Sequence, residues 1–145
     1  MNDVHYYKTS LRWDEGRIGT LASETLDSFK VATPPEFPKG VPNTWSPEHL
    51  YVASINACLM TTFLAIAENS KLEVVSFSSE SVGKLEKVDG KFTISEIELM
   101  PEIKVNNEKD KERAGRIIVK AEEQCLISNS VKTKIILKPK IIAEN

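Results

Sequence analysis

A chain of 145 residues, 41% apolar and 28% charged, has the size and composition of one globular domain with a real core. Its net charge of -2, with lysines dispersed among glutamates, excludes the one-sided basic surface that phosphate backbones require, so nucleic acid is not an expected partner. The N-terminal stretch MNDVHYYKTS has no apolar run and no cleavage site, which points to the reducing cytoplasm, where paired cysteines are more often catalytic or redox-sensing than structural.

Val4 to Trp13 and Arg17 to Val31 are rich in β-branched and aromatic residues, and Asp14-Glu15-Gly16 between them reads as a hairpin turn. Thr33 to Asn43, with proline at 34, 35, 38 and 42, must be a loop. Ser46-Pro47-Glu48 then starts a helix, with Ser as N-cap, Pro at the first helical position and a carboxylate where the helix dipole favours it. This helix runs to about Asn69. Leu50 to Ala67 within it is uncharged for 18 residues, the lower limit for a membrane span. Because it contains Ser54, Asn56, Thr61 and Thr62, it reads as a central helix buried on most sides, and no membrane is expected.

Val74 to Val88 and Lys91 to Val105 are strand-like runs joined by Asp89-Gly90, the dipeptide that a two-residue type I′ hairpin prefers. From Asn107 to Cys125 the pattern turns helical, with Ala114, Ile117, Ile118, Ala121 and Cys125 on one face. Ser128 to Ser130 ends it, and Val131 to Ile142 returns to strand. Runs of strands separated by only two helices indicate an α+β fold in a single domain, 1–145, without internal repeats.

Cys58 and Cys125 are the only thiols, and each falls where its helix turns it inward. Cys58 shares its face with Tyr51, Ser54, Ile55, Thr61, Thr62 and Ala65. It is either a core cysteine among small neighbours or a thiol facing a tight pocket whose hydroxyls stabilise a thiolate. Apolar burial in mid-helix raises a thiol pKa, so the second reading calls for a cation. Cys125, near a helix C-terminus where the dipole disfavours a thiolate, is a packing cysteine or a resolving thiol rather than an attacking one. Arg17, beside the acids of the first turn, is a solvated charge unless it is that cation, and Glu48 is at least a favourable first-turn carboxylate. His5 and His49 have no ligand spacing relative to each other or to the cysteines, which argues against zinc. A CxxC motif, a glycine-rich phosphate loop and a Ser nucleophile elbow are absent from the sequence.

Ser46-Pro47-Glu48-His49-Leu50 followed by Ala57-Cys58, then Ala121 to Cys125 and Ser128-Asn129, resembles the OsmC/Ohr family of thiol-dependent organic hydroperoxide reductases. Gly16-Arg17-Ile18-Gly19 is similar to the G-R-x-G turn of the Ohr branch. The resemblance implies antiparallel sheets around a long buried helix and a second amphipathic helix, in an intertwined homodimer. It implies Cys58 as peroxidatic thiol, Cys125 as resolving thiol through an internal disulfide, Arg17 as the stabilising cation and Glu48 as the carboxylate that orients it. Organic hydroperoxides and an external dithiol, lipoyl or thioredoxin-type, are the implied partners, with no metal, flavin or haem cofactor. Leu126 stands where characterised members have Pro, and the loop with Pro34-Pro35-Glu36-Phe37 is not the Gly-rich loop of the Ohr branch, which keeps Arg12 as the alternative cation. A redox sensor and a non-catalytic binder of apolar ligands are the other readings of the same fold.

Overall fold

The computed structural model describes residues 3–144. The chain divides into two compact units, residues 1–50 and 51–145. The first is a meander of three antiparallel strands, β1 (Ser10–Glu15), β2 (Ile18–Ser23) and β3 (Leu26–Ala32), in that spatial order. The strand expected from Val4 begins only at Ser10, because its partner runs out: Ser10 pairs with Ala22, and β2 turns away at Glu24. The expected run from Arg17 to Val31 is likewise two strands, broken at Glu24-Thr25, where Glu24 takes a positive φ of 32° without glycine. Arg17 lies in the first turn beside Gly16, and β2 starts one residue later, at Ile18.

The proline-rich segment is a loop as expected, closed by Val41 N–H donating to the Thr33 carbonyl at 2.9 Å. Helix α1 (Pro47–Asn69) starts where the sequence places it. Ser46, fully buried, accepts the His49 backbone N–H at its hydroxyl at 3.1 Å, and the His49 ring Nδ1 accepts the Ser46 backbone N–H at 3.2 Å. This is a reciprocal capping box with histidine in the place usually held by Glu or Gln.

The second unit holds the rest of α1, the hairpin of β4 (Val74–Val88) and β5 (Lys91–Val105), helix α2 (Glu108–Gln124), a 3-10 turn (Ser128–Ser130), β6 (Lys134–Leu137) and β7 (Lys140–Ala143). Asp89 and Gly90 both have positive φ, 52° and 80°, as a type I′ turn requires. β5 is the central strand, and its alternation is strict: Ile97, Leu99, Ile103 and Val105 have no exposed surface. They face the core with Ile55, Leu59, Phe63 and Ala67 of α1 and Ala114, Ile117, Ile118 and Ala121 of α2, the face anticipated for α2. α1 crosses the sheet closely at Gly83, where a Cβ would come within 2.5 Å of Val52 Cγ2.

Two expectations change here. The sheet is mixed, because β6 and β7 both run parallel to β5 along its free edge. The single strand expected from Val131 to Ile142 is broken between Leu137 and Lys140. Leu99 and Val105 turn their carbonyls to that edge, accepting from Lys138 and Glu144 at 2.8 Å each, so Pro101, of the same parity, presents its missing N–H there. The ladder breaks where the donor is absent, and Pro139 fills the gap.

α1 ends in a Schellman motif, with Lys71 at φ 57° and the Leu72 N–H donating to the Ala67 carbonyl at 2.8 Å. The helix is long and apolar enough to cross a membrane, yet Ile55, Leu59, Phe63 and Ala67 lie in the core of the second unit. It is not buried on most sides. One stripe is covered and Ala57, Met60, Thr61, Leu64 and Ala65 stay exposed, because one sheet and one helix reach only one side of it.

Candidate thiol site

Cys58 lies on the buried stripe of α1 and is 8% exposed; Cys125, the residue that closes α2, is fully buried. The structure brings the two free thiols together, near enough for each to bear on the other's ionisation. Cys125 sits one residue beyond the helical turn expected for it, in extended conformation, with its N–H on the Glu122 carbonyl at 3.2 Å. From there the chain folds into the 3-10 turn, and the Asn129 N–H donates to the Cys125 carbonyl at 3.0 Å.

The two thiols are not equivalent. Burial pushes Cys58 up, but this is outweighed by donors that converge on its sulfur: the Cys125 thiol, the Ile127 N–H, the Thr62 hydroxyl at 3.9 Å and the Leu126 N–H, so that its pKa falls below the ordinary thiol value. For Cys125, burial also pushes upward, the Cys58 sulfur adds to it, and the Ser128 hydroxyl and N–H only partly offset them, so its pKa rises. When the pair loses one proton, it is therefore Cys58 that carries the charge and Cys125 that keeps its proton. No cation of the same chain is among the groups that lower Cys58. Its charge is held by neutral donors, two of them backbone amides where the chain leaves α2. Thr62 was visible as part of the hydroxyl stripe, but amide directions leave no trace in residue types.

Iodoacetamide labelling should therefore modify Cys58 before Cys125 at neutral pH, with a rate midpoint for Cys58 below that of a free thiol. Cys125→Ala should move that midpoint up, since one donor is lost. An unchanged midpoint in the variant would contradict the donor role of Cys125.

Arg17 and Glu48 belong to the first unit. Arg17 is exposed in its turn, Glu48 is half-buried in the first turn of α1, and among the described residues neither forms an ion pair. Arg12 is already engaged, its Nε 3.3 Å from Asp14 Oδ1. The Lys30 ammonium at 2.9 Å and the Thr20 hydroxyl at 2.6 Å hold the Asp14 carboxyl down at about 2. In the second unit, an open cleft bounded by Tyr51, Val88, Ile94, Val131 and Thr133 is lined by neither cysteine.

The sequence profile of the OsmC-like protein family matches residues 40–140. The protein YmaD of Bacillus subtilis is 25% identical over 142 residues, which are 95% of this chain and 93% of that protein. An OsmC-like protein of unknown function from Vibrio cholerae superposes with a TM-score of 0.86 at 22% identity, over 94% of this chain and 99% of that one. An organic hydroperoxide resistance protein from Elizabethkingia anophelis superposes with a TM-score of 0.77 at 22% identity, each chain covered completely at 100%. At such identities the structural likeness is one of fold, and it confirms the α+β, OsmC-like architecture. Matched by the profile over most of its length, the chain belongs to the OsmC-like protein family.

Proposed function

We propose that this protein is a cysteine-based peroxidase that reduces organic hydroperoxides, alkyl or lipid, to alcohols. The observation that carries the reading is the unequal thiol pair, one sulfur whose pKa is lowered by converging donors and the other whose pKa is raised beside it. The Cys58 thiolate attacks the peroxide oxygen, the O–O bond breaks, and the departing alkoxide takes a proton to become the alcohol, leaving a sulfenic acid on Cys58. Cys125 then attacks that sulfur, forming the internal disulfide and releasing water, and an external dithiol of lipoyl or thioredoxin type restores the pair. This chemistry calls for no metal, flavin or haem. Structural relatives named organic hydroperoxide resistance proteins support the substrate class. The protein works in the cytoplasm.

Arg17 is assigned as the cation that steadies the reacting thiolate and peroxide, and Glu48 as the carboxylate that orients it. The engagement of Arg12 by Asp14 favours Arg17 over Arg12. Glu48 lies ten residues before Cys58 on one helix, about 15 Å along its axis, so it serves the cysteine of a second copy. The exposed apolar face of α1, with Met60 at 38% and Leu64 at 41%, supports two central helices packed about a two-fold axis. A monomer by light scattering would contradict that part. Arg17→Ala should slow peroxide attack by about 100-fold, with Arg17→Lys recovering only part of the rate because an ammonium lacks the fixed fork of donors. Stopped-flow oxidation by cumene hydroperoxide reads this directly. Wild-type rates in Arg17→Ala would transfer the role to Arg12.

A further inference from the structure

The proline-rich loop of the first unit shapes a cleft that the thiol chemistry does not use. It encloses ≈ 440 Å³ and is lined by Pro35, Glu36, Asn43, Thr44, Trp45 and His49, a size within the range of roughly 300–1,000 Å³ typical of small-molecule sites. Its walls are fixed before any ligand arrives. Pro34 is buried and its carbonyl accepts the Phe37 N–H at 3.1 Å, while the Gly40 N–H donates to the Phe37 carbonyl at 2.9 Å. On the other side Thr44 Oγ1 donates to the Pro42 carbonyl at 3.0 Å, and the Trp45 carbonyl accepts the Ala32 N–H at 2.8 Å. The capping box holds His49 through Nδ1, so Nε2 carries the proton of the neutral ring. Trp45 and His49 thus form a corner, their ring centroids 6.0 Å apart and their planes at 83°, and Trp45 keeps 51% of its surface exposed.

The charge of this cleft is of one sign. Glu36 is exposed, and among the described residues its carboxylate has neither an ion pair nor a hydrogen bond. No lysine or arginine is among the lining residues. An indole ring carries negative charge on its faces, so a ring beside an unpaired carboxylate attracts a cation. A primary ammonium needs acceptors fixed around its three N–H groups. A quaternary ammonium needs none, and its methyl groups pack against Pro35 and the two rings. We propose that this cleft binds a quaternary ammonium group, with the Trp45 ring and the Glu36 carboxylate sharing its charge. Because the loop and the helix start are already set, little ordering opposes binding. The site lies wholly in the first unit and does not depend on the reading of the cysteines. The group it takes is borne by a free solute or by a phosphocholine head group.

The chain has two tryptophans, so a nitrogen–proton correlation spectrum of the full-length protein carries two indole N–H signals. Trp13, whose Nε1 donates to the Gly16 carbonyl at 3.1 Å, is the internal control. Titration with choline chloride, matched against sodium chloride, should move the Trp45 signal and leave that of Trp13 in place. The neutral isostere 3,3-dimethylbutanol should move neither, and butylammonium should bind more weakly than choline. Glu36→Gln, a change at an exposed side chain, should weaken choline binding about 5-fold and reduce its salt dependence. Trp45→Leu, read from the choline methyl signal by saturation transfer, should weaken it by a similar factor. Cosedimentation with phosphatidylcholine vesicles that is lost in Glu36→Gln would assign the head group as the source, and choline binding without cosedimentation the free solute. A Trp45 signal that choline does not move would overturn the proposal. So would equal shifts with choline and the alcohol, tighter binding of butylammonium, or wild-type choline affinity in both variants.

Discussion

Cys58→Ser is expected to abolish hydroperoxide reduction, and Cys125→Ser to permit one oxidation per chain and then stall at the sulfenic acid. The asymmetry follows from the two environments. Cys58 is the sulfur on which the Cys125 thiol, Thr62 and the Leu126 and Ile127 amides converge, whereas Cys125 is raised by burial and by Cys58 itself. A serine hydroxyl in place of Cys58 is no thiolate and cannot be oxidised to a sulfenic acid. Dimedone trapping after one equivalent of cumene hydroperoxide should label Cys58 in Cys125→Ser and nothing in Cys58→Ser. Peroxide consumption by Cys58→Ser at the wild-type rate would sink the assignment.

The largest effect on stability is expected at Phe63. Its ring is fully buried, tilted against Phe77 at a centroid separation of 5.4 Å, in the cluster that joins α1 to β5 and α2. Phe63→Ala removes that contact and leaves a cavity in a layer held from both sides, so it should cost about 3–5 kcal/mol. That is a large share of the total stability of a domain of this size and should lower Tm by about 10 °C. Urea unfolding measures it, and a loss below about 1 kcal/mol would mean that the layer collapses to fill the space.

What could be read in the sequence was what local chemistry decides. Asp89-Gly90 forces a type I′ hairpin, Ser46-Pro47-Glu48 starts α1, and Ala114, Ile117, Ile118 and Ala121 bury the face that their spacing marks. Both cysteines were legible as inward-facing and unequal. What escaped depends on partners distant in the chain. Glu24 breaks a β-rich run in a left-handed turn without glycine, and the missing N–H of Pro101 splits a strand more than thirty residues later. The backbone donors at Cys58 escaped because side chains alone were weighed. The amides of Leu126 and Ile127 are aimed at Cys58 by the turn after α2, and no residue type announces them. His49 in the capping box was missed for a similar reason, since it gains its role from the backbone path around it.

Steady-state consumption of cumene hydroperoxide in the presence of a dithiol tests the account most directly. The prediction is sustained turnover with lipoyl or thioredoxin-type reductants, lost in Cys58→Ser, with an internal Cys58–Cys125 disulfide accumulating when the dithiol is withheld. A single stoichiometric oxidation without turnover, or no loss of thiols at all, would contradict it.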